Sequence, residues 1–472
     1  MLVLKYVVAL FGLYFLYAFV TGVLLFMSQP IAEHNGSENL MMEGENKGHS
    51  QDRVVLVEER EEAGIARLNL IENAQSSLDI AYHTLHEGIA SDLFFASIID
   101  AADRGVQVRF ILDGVLHNLR GNNKAVIFAF ASHPNIELKF YEPFHALQPW
   151  TWNNRLHDKL LIVDNELAMI GGRNIGDSYF ARPGYEGAKN DRDVVIINTE
   201  PENQDTSVLI EMKKYFNLVW HHPYTKDSAT HVSERQRQKG LQRMQELERT
   251  KDQHVDLFNR NIDWVAISVP TNRITFLHNP IERLNKEPIV WRKIQFLIDQ
   301  AEESIYIQSP YIIPTKKMID ESTMRGISAK EITILTNSLA ATPNVLAYSG
   351  YMHHRVQIAR SNVDLYEFQG PKESLHTKTY LFDKRYSVIG SFNIDSRSAY
   401  LSTESVVVID STEFAEQVEK KMNMYLNQES LLVLDDGSYQ YHPWIEEKKP
   451  SCFKRGLTKA LSFVTRYFQY ML

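Results

Sequence analysis

The run "RLHDKLLIVDNELAMIGGRN", residues 155–174, sets His157, Lys159 and Asp164 at H-x-K-x4-D spacing within an apolar, strand-like stretch. Side chains two apart on a strand share a face, so an imidazole and an ammonium are aimed together. Burying either without a partner is expensive, and the partner that suits both is an anion. The run recurs as "SLHTKTYLFDKRYSVIGSFN", residues 374–393. His157, Lys159, Asp164, Gly171 and Asn174 correspond to His376, Lys378, Asp383, Gly390 and Asn393, each 219 positions further on.

A second set of echoes surrounds the first. "NAQSSLDIAYH" (73–83) matches "QAEESIYIQSP" (300–310), and "NIELKF" (135–140) matches "NVDLYE" (362–367), both at an offset of 227. The two offsets differ by 227 − 219 = 8 residues, an insertion in the first half that falls on the aromatic-rich loop "FHALQPWTWNN" at 144–154. Two copies of one domain are implied. Each half alternates amphipathic helical stretches with buried strands such as "VQVRFILDG" and "EITILTNS", the pattern of an α/β sheet with helices on both faces. The expected organisation is an anchor at 1–30, a flexible tether at 31–53, a first domain at 54–223, a charged helical linker at 224–262, a second domain at 263–445 and a basic helix at 446–472. The linker is read as solvated.

Composition narrows the function classes. The 472 residues are 44% hydrophobic and 23% charged, as in folded globular proteins. A net charge of -9 provides no global positive field, so nucleic acid is not an expected partner and any anion site must be local. The single cysteine, Cys452, excludes an intrachain disulfide framework and any C-x-x-C motif. The pairs His221–His222 and His353–His354 lack metal-ligand spacing, and no metal or cofactor is expected.

From Tyr6 to Met27 there are 22 residues without a charge. As a helix rising about 1.5 Å per residue, this run crosses a hydrocarbon core of roughly 30 Å. It exceeds a usual signal-peptide core and no A-x-A site follows, so it reads as an uncleaved single-pass anchor in the cell membrane. Lys5 precedes the span and acidic residues dominate the segment after it, which puts the body on the extracytoplasmic side. At the other end, Leu457, Leu461, Val464 and Phe468 recur at i, i+4, i+7 and i+11, beside Lys454, Arg455, Lys459 and Arg466. Such a helix either lies in an anionic membrane interface or docks its apolar face on the body.

Two histidines from two homologous halves suggest one site on a pseudo-twofold axis between them. A neutral imidazole is a nucleophile at phosphorus and a protonated one a general acid, and an ordinary pKa near 6.5 lets two copies hold opposite states at neutral pH. Lys159, Lys378, Asn174 and Asn393 can together bind the oxygens of a phosphodiester. One histidine would attack phosphorus; the other would protonate the departing alkoxide and then deprotonate the hydroxyl that resolves the intermediate. Water in that role makes a phosphodiesterase, and an alcohol makes a transferase. Each imidazole needs an acceptor on its other nitrogen; the candidates are Asp191 and Asp193 in "NDRDVVII" and Glu404 in "LSTESVVVI". Asp164 and Asp383 end their strands at turns, "VDNE" and "FDKR", and are read as structural.

The paired motif, each copy followed by Gly-Gly-x-Asn or Gly-Ser-x-Asn, resembles the phospholipase D superfamily. Within it, "GGRNIGDSYF" (171–180), "SPYIIPT" (309–315), "ILTNSLAATP" (334–343) and "GSFNIDSRSAYLSTE" (390–404) are similar to the C-type bacterial cardiolipin synthases, over roughly residues 54–472. The resemblance implies two tandem phospholipase D-like domains, mixed sheets flanked by helices, packed with pseudo-twofold symmetry. It implies transfer of a phosphatidyl group to phosphatidylglycerol, with phosphatidylethanolamine a candidate further substrate. It makes His157 the nucleophile and His376 the acid/base, and favours Asp191 over Asp193. Gly172 stands where a serine is more common, leaving Ser391 as the hydroxyl near the phosphate. Two other classes stay open. A phospholipase D-type hydrolase shares every motif, whereas a nuclease should show a basic stripe, and a non-catalytic lipid binder should lack a motif residue. Water exclusion by Phe144, Trp150 and Trp152 would favour the alcohol.

Overall fold

The computed structural model describes residues 1–27, 50–203, 206–229, 231–258, 260–315, 318, 331–370 and 372–472. The tether expected at 31–53 lies largely outside the described residues. The described chain continues from Ser50, whose N–H donates to the Thr271 carbonyl, four residues before the expected boundary at Val54.

Two sheets carry one strand order. The first has nine strands, ordered Val269–Pro270, Asp52–Val57, Asp193–Asn198, Leu167–Gly171, Lys159–Val163, Ser77–Tyr82, Gln107–Asp113, Ile136–Tyr141 and Thr225–Asp227. The second has eight, ordered Arg273–His278, Ser405–Asp410, Tyr386–Gly390, Thr379–Phe382, Ser304–Gln308, Glu331–Asn337, Asp364–Phe368 and Ser430–Leu432. In each sheet three neighbouring strands run parallel and the rest antiparallel. The motif strand sits centrally both times, buried along its length, and this is why its apolar residues run on without alternation.

The core has three layers. One cluster fills the outer side of the first sheet and one the outer side of the second. The middle cluster joins the halves, taking Val54, Leu160 and Ile196 from the first, Leu335, Leu381 and Val407 from the second, and apolar residues of the helices Leu209–His221 and Thr412–Glu429.

Two short pairings stitch the seam. Ala188–Asn190 runs parallel to Glu373–Leu375, with Asn190 opposite Leu375. Leu156 bridges Thr403 in the symmetric position. Each motif is thus entered through a backbone pairing with the opposite half.

The charged segment after Tyr224 is not simply solvated. Thr225–Asp227 closes the first sheet, and the helix Glu234–Asp252 packs on the helices Ile89–Asp103 and Lys124–Ala131. Gly240 permits this: a Cβ there would stand 2.8 Å from the Ala129 nitrogen. Arg243 and Lys251 then pair with Asp92 and Asp100 on the helix beneath. One face of the linker helix belongs to the first half.

The N-terminal helix, Leu2–Phe19 continued by a π-helical turn at Val20–Leu24 and by Leu25–Met27, is long and apolar enough to cross a membrane. Most of its surface is exposed. It touches the body at the inserted loop, where the Tyr14 and Tyr17 hydroxyls donate to the Ala146 and Leu147 carbonyls and Asn153 Nδ2 donates to the Gly22 carbonyl at 2.7 Å, and at the C-terminal segment, where Phe468 meets Phe19.

Candidate active site

Both motif strands deliver their histidines to the seam. His157 Nδ1 lies 2.9 Å from Glu404 Oε2, and His376 Nδ1 lies 2.5 Å from Asp191 Oδ2. Each imidazole is therefore held by the carboxylate of the other half. The stitches explain the exchange. The His376 N–H donates to the Asn190 carbonyl and the His157 N–H to the Thr403 hydroxyl, so the residue after each partner, Asp191 or Glu404, meets the opposite ring. A carboxylate on Nδ1 leaves Nε2 free to act at phosphorus.

Lys159 and Lys378 fold back so that each ammonium donates to the carbonyl of the histidine two residues earlier, and Lys378 Nζ stands 3.8 Å from Asp191 Oδ2. Burial pulls Lys159 down to about 7 and Lys378 down to about 8, against the pull of Glu404 and Asp191. Both histidines are depressed well below their ordinary value, first by burial and then by the lysines. Burial pushes Glu404 up to about 8 and raises Asp191 as well. Two lysines, two buried acids and two neutral rings carry no net negative charge, and burial disfavours the ionised form of both acids. A phosphodiester anion among these groups would favour protonating one imidazole.

The amides complete the pocket. Asn174 Nδ2 donates to the Tyr179 hydroxyl at 3.1 Å, and the Asn393 N–H to the Ser398 hydroxyl. Asn174 Oδ1 and Asn393 Oδ1 are buried with no hydrogen-bond partner among the described residues. These oxygens can only accept a hydrogen bond, so it is the carboxamide nitrogens that can donate to a phosphate oxygen.

Two expectations are corrected. Asp193 does not serve a histidine: it is wholly buried between Arg67 and Arg173, 2.9 Å from each. Two guanidiniums inside the first half claim it. Ser391 does not offer its hydroxyl to the centre of the site; Oγ donates to Glu404 Oε2 at 2.5 Å and accepts from the Ser405 N–H at 3.0 Å. It braces the acid. Gly172 has a steric cause, since a Cβ there would collide with Asp191 Oδ1. Gly171 and Gly390 likewise sit tight against Asp193 and the Ser405 carbonyl.

Asp164 and Asp383 stand away from the histidines. Asp164 accepts from the N–H groups of Gln75, Ser76 and Ser77 at 2.7–2.8 Å, and Asp383 from those of Glu302, Glu303 and Ser304 at 2.8–3.0 Å. Both begin tight turns at positive φ, 53° and 47°. Burial alone would raise Asp164, but its N–H donors prevail and hold it below the usual carboxylate range. Asp164→Ala is expected to cost about 1–3 kcal/mol of stability, seen as a lower melting temperature, while the folded fraction keeps its turnover. An equal loss of turnover per folded molecule would assign Asp164 to the chemistry.

Sequence reasoning missed three neighbours. His83, in a T-shaped contact 5.0 Å from His157, holds its Nδ1 2.6 Å from the Leu156 carbonyl. Tyr179 packs edge-on to His376 at 5.4 Å. Lys286 donates to the Ser402 carbonyl and to Asn154 Oδ1, fixing the strand entry before Glu404. The repeat could not flag His83, because the position 227 residues on is Pro310.

One topology used twice, with its reactive groups gathered along the seam, is the architecture of the phospholipase D superfamily, and the chain is an enzyme of that superfamily. The family model for the cardiolipin synthase phospholipase D-like domain matches residues 68–220 and 294–426, and the chain belongs to that family. Cardiolipin synthase C of Escherichia coli (strain K12) is 28% identical over 76% of this chain and 82% of its own length. An uncharacterised protein of Helicobacter pylori (strain ATCC 700392 / 26695) is 29% identical over 83% of this chain and 82% of its own. Among solved structures, phosphatidylserine synthase of Haemophilus influenzae Rd KW20 shares the fold, with a TM-score of 0.60 at 15% identity over 89% of this chain and 95% of that one.

Proposed function

We propose that the chain is a membrane-anchored phosphatidyltransferase that makes cardiolipin, with phosphatidylglycerol as acceptor and phosphatidylglycerol or phosphatidylethanolamine as donor. The observation that carries the reading is the pair of imidazoles held by carboxylates in trans, flanked by two lysines. Family membership and the likeness to cardiolipin synthase C support the choice of substrate.

His157 Nε2 attacks the donor phosphorus, forming a P–N bond as the bond to the headgroup oxygen breaks. His376, protonated, gives its proton to that oxygen, and the headgroup alcohol leaves. His376 then takes the proton of the phosphatidylglycerol hydroxyl, whose oxygen displaces His157 from phosphorus. Lys159 and Lys378 balance the phosphate charge throughout. Asp191 and Glu404 hold Nδ1–H on each ring and stabilise the imidazolium that forms. The N-terminal helix spans the membrane, with the body on the extracytoplasmic side.

The second reading, hydrolysis, differs only in the acceptor. The inserted loop gives it no disadvantage: Phe144 stacks on Trp152 at 5.4 Å, and Trp152 Nε1 donates within the loop to the His145 carbonyl. These two rings support the loop's own fold. Purified protein incubated with phosphatidylglycerol, with and without phosphatidylethanolamine, should yield cardiolipin with free glycerol or ethanolamine by mass spectrometry. Phosphatidic acid as the sole product would replace the transferase by the hydrolase.

A further inference from the structure

The helix Cys452–Thr465 is mounted with its faces opposite to the usual arrangement. Its contact with the helix Val345–Ala359 is made by small and polar residues: Thr458 and Thr465 are 0% and 2% exposed. Thr465 Oγ1 meets Ser349 Oγ at 3.2 Å, His353 Nε2 meets the Ser462 carbonyl at 2.9 Å, and Lys454 Nζ donates to the Ala340 and Thr342 carbonyls. Apart from half-buried Leu461, the large apolar residues of the helix point away from the body. Phe453 is 78% exposed, Phe463 70%, Tyr467 65% and Val464 55%. At about 100° per residue, Phe463, Tyr467, Phe453, Val464 and Leu457 fill one continuous arc opposite Thr458. Arg455, Lys459 and Arg466, all exposed, line one border of that arc, and residues 451–472 contain no acid.

An apolar face turned to water along a whole helix is costly, at roughly 25 cal/mol per Å², and contiguous exposed patches mark an interaction surface. Its surroundings name the occupant. Phe468, just past the helix, packs edge-on to Phe19 of the N-terminal helix with centroids 6.3 Å apart, and the Tyr470 hydroxyl donates to the Val23 carbonyl at 3.2 Å. The face is therefore continuous with the span. The loop carrying exposed Phe144 and Leu147 runs up the same span, and its Ala146 and Leu147 carbonyls accept from Tyr14 and Tyr17.

We propose that the C-terminal helix lies in the membrane interface with this apolar arc against the acyl chains and its basic border among anionic headgroups, so that the helix, the loop tip and the span form one lipid-facing platform. The placement rests on reading the N-terminal helix as a span. The partner is a phospholipid monolayer, and its recognition is apolar insertion plus charge. Asn153, bonded to the span, lies four residues before His157, a reach of at most about 14 Å. The platform thus holds the site within a lipid headgroup's distance of the bilayer.

The test is depth, since the span alone keeps every variant on the vesicle. Full-length protein carrying Cys452→Ser receives Phe463→Cys, Tyr467→Cys or, on the exposed surface of the second half, Glu416→Cys. Each is labelled with an environment-sensitive fluorophore and reconstituted in phosphatidylglycerol–phosphatidylcholine vesicles. Labels at 463 and 467 should be quenched by nitroxide lipids near the headgroup, and be at least about fivefold less quenched by iodide than the label at 416. Equal iodide access at all three sites would overturn the proposal. Protection from iodide without lipid quenching would overturn it too, by showing a second copy on this face. Neither readout depends on turnover, so a failure of phosphatidyl transfer leaves the result standing.

Discussion

Replacing His157 by alanine should abolish phosphatidyl transfer, by roughly 10⁴-fold or more, together with any acid-labile, phosphate-labelled protein. His376→Ala should behave differently. Given a donor with a good leaving group, which needs no proton, the variant should still form the phosphohistidine at His157 and then fail to discharge it, because nothing deprotonates the acceptor. Quenched-flow labelling with a nitrophenyl phosphodiester separates the two. If His157→Ala accumulates the adduct and His376→Ala does not, the roles assigned to the rings are reversed. Both side chains sit at the mouth of the seam with modest exposure, 18% and 14%, so truncating either leaves the core intact.

A larger surprise for sequence intuition concerns the acids. Asp191 lies 34 residues beyond His157 in the same half, yet it touches His376 (191 − 157 = 34). Asp191→Asn is therefore expected to reproduce the His376→Ala phenotype: an adduct on His157 that forms and persists, with turnover down roughly 10²–10⁴-fold from the wrong tautomer. Glu404→Gln should instead slow formation of the adduct. Burst amplitude against steady-state rate reads the difference. Should Asp191→Asn slow the burst while Glu404→Gln traps the adduct, the acids would be acting within their own halves. The Ser391 hydroxyl donates to the same Glu404 oxygen that holds the His157 ring, so Ser391→Ala serves as the control.

The fold and the composition of the site were legible because both are written in local pattern. The repeat at offsets 219 and 227 announces two domains, and the motif pair announces His157, Lys159, His376 and Lys378. What was not legible depends on faces and seams. No spacing says that Asn190 pairs with Leu375 and Thr403 with Leu156, so which ring each acid reaches is invisible until the sheets dock. Asp191 and Asp193 read alike in "NDRD", and only the buried Arg67 and Arg173 tell them apart. The helical wheel of residues 452–465 shows an apolar arc but not its orientation, which is decided by buried Thr458 and by the bonds of Ser462 and Thr465 to the body. Lys286 has no echo in the first half to draw attention to it.

The crossed pairing of rings and acids also limits how the molecule can exchange lipids. Parting the two halves to admit a diacyl chain would pull both imidazoles off their carboxylates in one movement, stripping each ring of its orientation and of the charge that steadies its protonated form. Opening and reactivity are thereby mutually exclusive along that coordinate. Donor, departing headgroup and acceptor must instead pass over the rim of the closed seam.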